Sequence, residues 1–224
     1  MNKLTIAVAT TMILAGCSTA APTIQTGPEA EVTFDGLHRV DNSAFADSWA
    51  DPDIDFSRYN KFIAGGAFFE FRAVKKTASS TRVTSSHNEF WIDDASKAKL
   101  EEEVSNVFQE ELAKSERFTE TDAPGPDVIV IRGGLHDIVS RVPPDQVGRS
   151  EIYLSSIGEA TLVLEVVDSM SGEVIARAVE RRAAQRAGGQ MVLSNTVTTW
   201  AEVRRLARSW ATKLRDGMDN VPTE

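Results

Sequence analysis

Apolar and polar positions fall into two helical stretches and several alternating ones, separated by turn-rich chain. Leu100, Val104, Val107, Phe108 and Leu112 recur at helical spacing, which predicts an amphipathic helix over Asp94 to Lys114. Asp93 or Asp94 supplies its N-cap. Glu101, Glu102, Glu103, Glu110 and Glu111 form the side expected to face solvent. A second helix is expected over Thr199 to Asp216, with Val203, Leu206, Ala207, Trp210 and Leu214 as its apolar stripe. Arg204, Arg205, Arg208, Lys213 and Arg215 lie largely off that stripe. Thr199 and Glu202 have capping-box spacing, and Gly217 stands where a C-terminal cap is expected.

The strand signals have period two. Lys61 to Arg72 reads as a strand with Phe62 and Phe68 on one face and Ile63, Phe69 and Phe71 on the other. Asp127 to Ser140 carries the Val128-Ile129-Val130-Ile131 run. Glu159 to Asp168 places Ala160, Leu162, Leu164 and Val166 on one face, turns at Ser169-Met170-Ser171-Gly172, and returns over Glu173 to Ala184 as a hairpin. Ala73 to Asn88 is polar and reads as a long loop or a poorly formed hairpin. The order is β-α-β-β-β-α. It predicts an α+β two-layer sandwich, a mainly antiparallel sheet of about four strands covered on one face by two helices.

The N-terminus follows a different logic. Lys3 precedes an apolar run from Leu4 to Ala15, which is shorter than the roughly 20 residues that span a bilayer core. Charge, apolar core and small residues in that order read as an export leader. Leu14-Ala15-Gly16 then stand directly before Cys17, the sole cysteine, and resemble a bacterial lipobox. The resemblance implies signal-peptidase recognition through Leu14, Ala15 and Gly16, cleavage before Cys17, and attachment of diacylglycerol and a further acyl chain such as palmitate to Cys17. One chain binds a membrane only marginally; three together anchor stably. In Gram-negative lipoproteins an aspartate after the cysteine commonly retains the protein at the inner membrane, so Ser18 favours the outer membrane.

Residues 18 to 35, rich in Thr, Ala, Pro and Glu, read as a tether that spans about 60 Å when fully extended. The expected organisation is a signal peptide over 1–16, lipidated cysteine and tether over 17–35, and one α+β periplasmic domain over 36–220. The formal charge of −9 makes nucleic acid a poor partner. A single cysteine leaves no intramolecular disulfide and no structural thiolate metal site.

Candidate chemistry is sparse. Asp51, Asp53 and Asp55 have the spacing that opens a calcium loop, but Phe56 and Phe62 occupy the positions that need glycine and a carboxylate. His38, His87 and His136 are isolated and have no zinc-motif spacing. No nucleophile elbow, phosphate loop or dinucleotide fingerprint occurs. Gly65-Gly66 and Gly133-Gly134 interrupt strands and are read as a bulge or packing gap rather than a ligand approach. Trp91, Trp200 and Trp210 are expected in the core or at caps, and Trp49 exposed.

The run from Glu159 to Val174 resembles the signature hairpin of a family of bacterial lipoproteins of unknown function, the domain-of-unknown-function family 3313. Asp55-Phe56-Ser57-Arg58-Tyr59-Asn60-Lys61 is similar to the family's entry to its first strand. Thr199-Trp200-Ala201-Glu202 and Ser209-Trp210-Ala211-Thr212-Lys213-Leu214 are similar to its final helix. The resemblance implies an anchored envelope domain and assigns no catalytic residue. The element order also resembles small α+β domains in auxiliary lipoproteins of envelope transport systems. The expected function is therefore an outer-membrane-anchored lipoprotein presenting a non-catalytic binding or accessory domain to the periplasm. The alternatives are an auxiliary subunit of an envelope lipid or solute transport system, and an envelope hydrolase without a recognisable motif. Expected partners are membrane lipid through acylated Cys17, the lipoprotein processing and sorting machinery, and an envelope protein, with no cofactor, metal or nucleic acid.

Overall fold

The computed structural model describes residues 20–74, 89–143 and 151–220. The strands are β1 (Thr23–Ile24), β2 (His38–Asp41), β3 (Asp47–Ala50), β4 (Lys61–Phe71), β5 (Thr119–Glu120), β6 (Val128–Ser140), β7 (Tyr153–Leu154), β8 (Gly158–Asp168), β9 (Val174–Ala184) and β10 (Val192–Leu193). Helix α1 (Asp94–Leu112) lies between β4 and β5, and α2 (Thr196–Asp219) ends the described chain. The fold is α+β with two helices and a mixed eight-stranded sheet in the order β1-β2-β3-β9-β8-β6-β4-β5. β7 and β10 pair separately.

The expected sheet of about four strands is corrected to eight. The four long strands are adjacent in the middle of the sheet as β9-β8-β6-β4. The added strands are two to four residues long, too short to carry a readable alternation. The expected order β-α-β-β-β-α omits them. β4 runs parallel to both β5 and β6, whereas the other pairs in this sheet are antiparallel. A parallel pair needs a long crossover connection, and α1 lies in it.

Glycines correct the facing of β4. Ala64 pairs with Ile131 and Ala67 with Gly133, so β4 carries one extra residue at Gly65-Gly66. The bulge reverses the alternation. Phe62, Phe69 and Phe71 all join the core, while Phe68 is 40% exposed against His136. A second bulge places Asp137 of β6 at φ 52°, where Arg72 and Arg181 bind its carboxylate.

Both helices pack into one core. Val104, Val107 and Leu112 of α1 and Ala207, Trp210 and Leu214 of α2 meet Ile129, Ile131, Leu135, Leu162 and Leu164. Trp210 is 1% exposed and donates from Nε1 to Glu180 at 2.8 Å. Asp93 is the N-cap of α1, accepting from the Ser96 N–H at 2.8 Å. Helix α2 starts earlier than expected, because Asn195 caps it through the Thr198 N–H; Gly217 lies within its last turn. Glu111, expected in solvent, is 4% exposed and accepts from Arg215 at 2.9 Å and Arg208 at 3.3 Å. Glu103 similarly accepts from Arg204. These pairs form a charged seam between the helices.

Part of the expected tether belongs to the sheet. Thr23 and Ile24 pair with β2, Val32 bridges to His38, and Asp35 binds Arg177 at 2.7 Å. Trp49, expected exposed, lies half-buried in β3 with the Arg39 guanidinium 5.8 Å from its ring centroid. Among the described residues, no helix is long and apolar enough to cross a membrane.

Candidate functional site

The N-terminal ends of α1 and α2 converge over the C-terminal end of β6 and the start of β8. A cavity of about 440 Å³ lies between them. Much of its wall is aliphatic, with Leu100 and Val104 from α1, Leu135 and Ile138 from β6, and Val203 and Leu206 from α2, while Ser140, Glu159, Ser194 and Thr199 add polar side chains. Ala160 and Ala207, both buried, contribute only methyl groups to its lining. Gly158 is small for another reason. A Cβ there would lie 2.3 Å from the Val139 carbonyl oxygen, so strand approach excludes it.

Trp91 and Trp200, both half-buried, also line the cavity, together with the N-caps Asp93 and Asn195. The N-caps are already engaged by their own helices. The Ser96 N–H and then the Ser96 hydroxyl hold the Asp93 carboxyl below its ordinary range. The Lys99 ammonium lies 4.8 Å from the Trp200 ring centroid. Among its described lining residues there is no Lys, Arg or His. The arrangement sets an aliphatic surface beside two carboxylates, Asp93 at the start of α1 and Glu159 in β8.

A second cavity, of about 380 Å³, lies between α1 and β4. Its sheet side includes Gly65, Gly66, Ala67, Gly133 and Gly134, and Phe69 and Phe108 also line it. Gly65, Gly133 and Gly134 are required by strand approach. A Cβ on Gly134 would lie 1.9 Å from the Phe68 carbonyl oxygen, and one on Gly133 would lie 2.3 Å from that of Val163.

The histidines do not converge. His136 hydrogen-bonds Glu70, and His38 Nδ1 lies 2.7 Å from the Gln25 carbonyl oxygen. Neither lines the first cavity, and His87 is outside the described residues. Among the described residues, no group of three or more His, Cys, Asp or Glu is placed to hold a metal ion. Asp51 and Asp55 organise turns by accepting from the N–H groups of Asp53 and Ser57. Leu14, Ala15, Gly16 and Cys17 lie outside the described residues, as does 75–88 of the polar segment. The cavity was missed in the sequence because it is made by elements distant along the chain. Its one local signal is the small residues Ala160 and Ala207 on otherwise large-residue faces.

A family model described as a protein of unknown function, DUF3313, matches residues 32–214. No protein curated for function matches the sequence. Among solved structures, a PelC dodecamer from Paraburkholderia phytofirmans is 12% identical, with 75% of this chain and 94% of that chain covered at a TM-score of 0.35. A DUF330 protein from Xanthomonas campestris is 15% identical, with 74% and 86% covered and the same TM-score of 0.35.

Proposed function

The chain belongs to the DUF3313 family, matched over residues 32–214, and from that premise we propose that it is an outer-membrane lipoprotein whose domain works by binding rather than by chemistry. One observation carries the reading: Leu14-Ala15-Gly16 stand directly before the only cysteine, Cys17, at the end of a short apolar run. Acylated Cys17 inserts into membrane lipid, the processing and sorting machinery delivers the protein, and the domain faces the periplasm to meet an envelope protein. The acidic composition supports anchoring by lipid rather than by surface charge, since anionic headgroups repel it. Globomycin, which blocks cleavage of lipoprotein leaders, tests this. Precursor accumulation under the drug, and loss of Cys17→Ser from outer-membrane fractions, are expected. An unchanged precursor level together with membrane retention of Cys17→Ser contradicts the reading.

The aliphatic cavity at the helix ends favours a second reading, an auxiliary subunit of an envelope lipid or solute transport system. Crosslinking in intact cells tests it: recovery of a transporter component supports it, and recovery of none counts against it. The hydrolase reading has a weaker basis. Its only described histidine–carboxylate pair, His136 with Glu70, lies outside both cavities.

A further inference from the structure

We propose that the cavity between the N-terminal ends of α1 and α2 binds a single acyl chain of a lipid. The inference rests on the binding half of the reading above and not on the anchor at Cys17. Close-packed interiors hold few voids larger than a water molecule, whereas this one measures about 440 Å³, within the range of small-molecule sites. Its lining is more apolar than polar, and apolar cavity surface favours apolar guests. Leu100, Val104, Leu135, Ile138, Val203 and Leu206 offer a guest hydrocarbon contact and no side-chain hydrogen bond. Against these six side chains a sugar or peptide would lose water contacts without replacement, a cost that a methylene chain does not incur; Ser96, Asn195, Thr196 and Thr199 line the cavity at the helix ends instead.

The polar groups of the site suit the other end of such a molecule. Trp91 and Trp200 bring rings that combine an apolar body with a polar N–H. No cation is among the described lining residues, so an ionised head does not enter the interior. Exposed Lys99, over Trp200, is the nearby charge that an anionic head would meet outside it. The chain therefore enters tail first, with its carboxylate or ester left among the helix ends.

Photocrosslinking tests this with the full-length chain reconstituted in vesicles of phosphatidylethanolamine and phosphatidylglycerol. One arm contains palmitate bearing a diazirine; the other contains phosphatidylethanolamine with the diazirine on one acyl chain. Labelled peptides are mapped by mass spectrometry. Label is expected on the α2 segment around Val203 to Ala207 and on β6 around Leu135 to Ile138. Val203→Trp and Leu206→Trp, which fill the cavity, are each expected to reduce that label at least about tenfold. Ala67→Leu, beside the second cavity, is expected to leave it unchanged. Thermal melts of each variant identify any that fails to fold, and the other cavity variant then decides. Label from palmitate alone supports the site with free fatty acid as its source, and label from phospholipid supports it with membrane lipid. Label absent from α2 and β6 in both arms, or unaltered in every folded cavity variant, overturns the proposal. A failure here leaves acylation of Cys17 untouched, because that is read separately.

Discussion

Asp168 shows how a single side chain ties distant parts of the chain together. It ends β8 and is almost wholly buried, yet accepts from the Tyr59 hydroxyl and Arg58 at 2.6 Å each and from the N–H groups of Met170 and Ser171. Burial alone raises its pKa, but these donors outweigh it and hold the carboxyl well below its ordinary range. Its burial, followed by donation to Asp168, in turn pushes the Tyr59 phenol up to about 12. Asp35, bound first by Arg177 and then by Thr33, and Asp137, bound by Arg72, are each lowered to about 2. A carboxylate with a depressed folded-state pKa binds fewer protons when folded than when unfolded. Its stabilisation is present above the unfolded value near 3.8 and is lost as pH falls through the folded value. Urea melts should therefore show stability falling from about pH 4 toward pH 2, and Asp168→Asn should flatten that fall. At neutral pH the same variant should cost about 1–3 kcal/mol, because it weakens a buried acceptor shared by four donors, while half-exposed Arg58 stays hydrated. Equal pH profiles for the two proteins would contradict this account. Trp210→Ala should cost about 3–5 kcal/mol in the same melts, since its ring fills the core and its N–H satisfies Glu180. Trp49→Ala, in half-buried β3, should cost less; equal losses would contradict that division.

At the scale of elements, the glycines of β4 and β6 have separable roles. Gly134→Ala should destabilise by about 3 kcal/mol, in the range of overpacked sites, because the new methyl would meet the Phe68 carbonyl where β4 and β6 pair. Gly66→Ala meets nothing within 4 Å and has no left-handed backbone, so it should change stability by less than about 1 kcal/mol. Equal effects in chemical denaturation would show that the strand approach is not what selects glycine at 134. Helix α1 and the β8–β9 hairpin were legible in the sequence because each carries a long uninterrupted period. Strands β1, β2, β3 and β5 were not, because each is at most four residues long. The faces of β4 were misread for a different reason: a bulge moves every later side chain to the other face. Glu111 illustrates a third limit. Its place in a run of glutamates suggests solvent, but Arg208 and Arg215 of α2 enclose it, and no local pattern records a partner on a distant helix. Glu111→Ala should therefore cost about 1–2 kcal/mol by removing the acceptor that Arg208, Arg215 and Lys114 share, since those cations keep part of their hydration. A loss no larger than that of an exposed Glu102→Ala would contradict it. The cavity is hidden in the same way, since its walls come from α1, β6, β8, β9 and α2, which meet only in the folded chain.

For the whole molecule, the N-terminal strand changes how the proposed anchor would hold the domain. An extended tether through residue 35 reaches about 60 Å, but β1 begins at Thr23 and is paired into the sheet. The free span from Cys17 to Thr23 reaches only about 20 Å at roughly 3.3 Å per residue. Anchored at Cys17, the β1–β2 end of the sheet would lie close to the bilayer. The proposed cleavage before Cys17 would also remove Lys3 and make an already acidic protein more negative. The covalent anchor is thus the central claim, and the mass of the mature N-terminal peptide tests it most directly. Peptide isolated from the outer-membrane fraction of cells producing the full-length chain should begin at Cys17 and carry a diacylglyceryl group and an amide-linked acyl chain. A peptide that retains residues 1–16, begins elsewhere, or begins at an unmodified Cys17 would contradict the account.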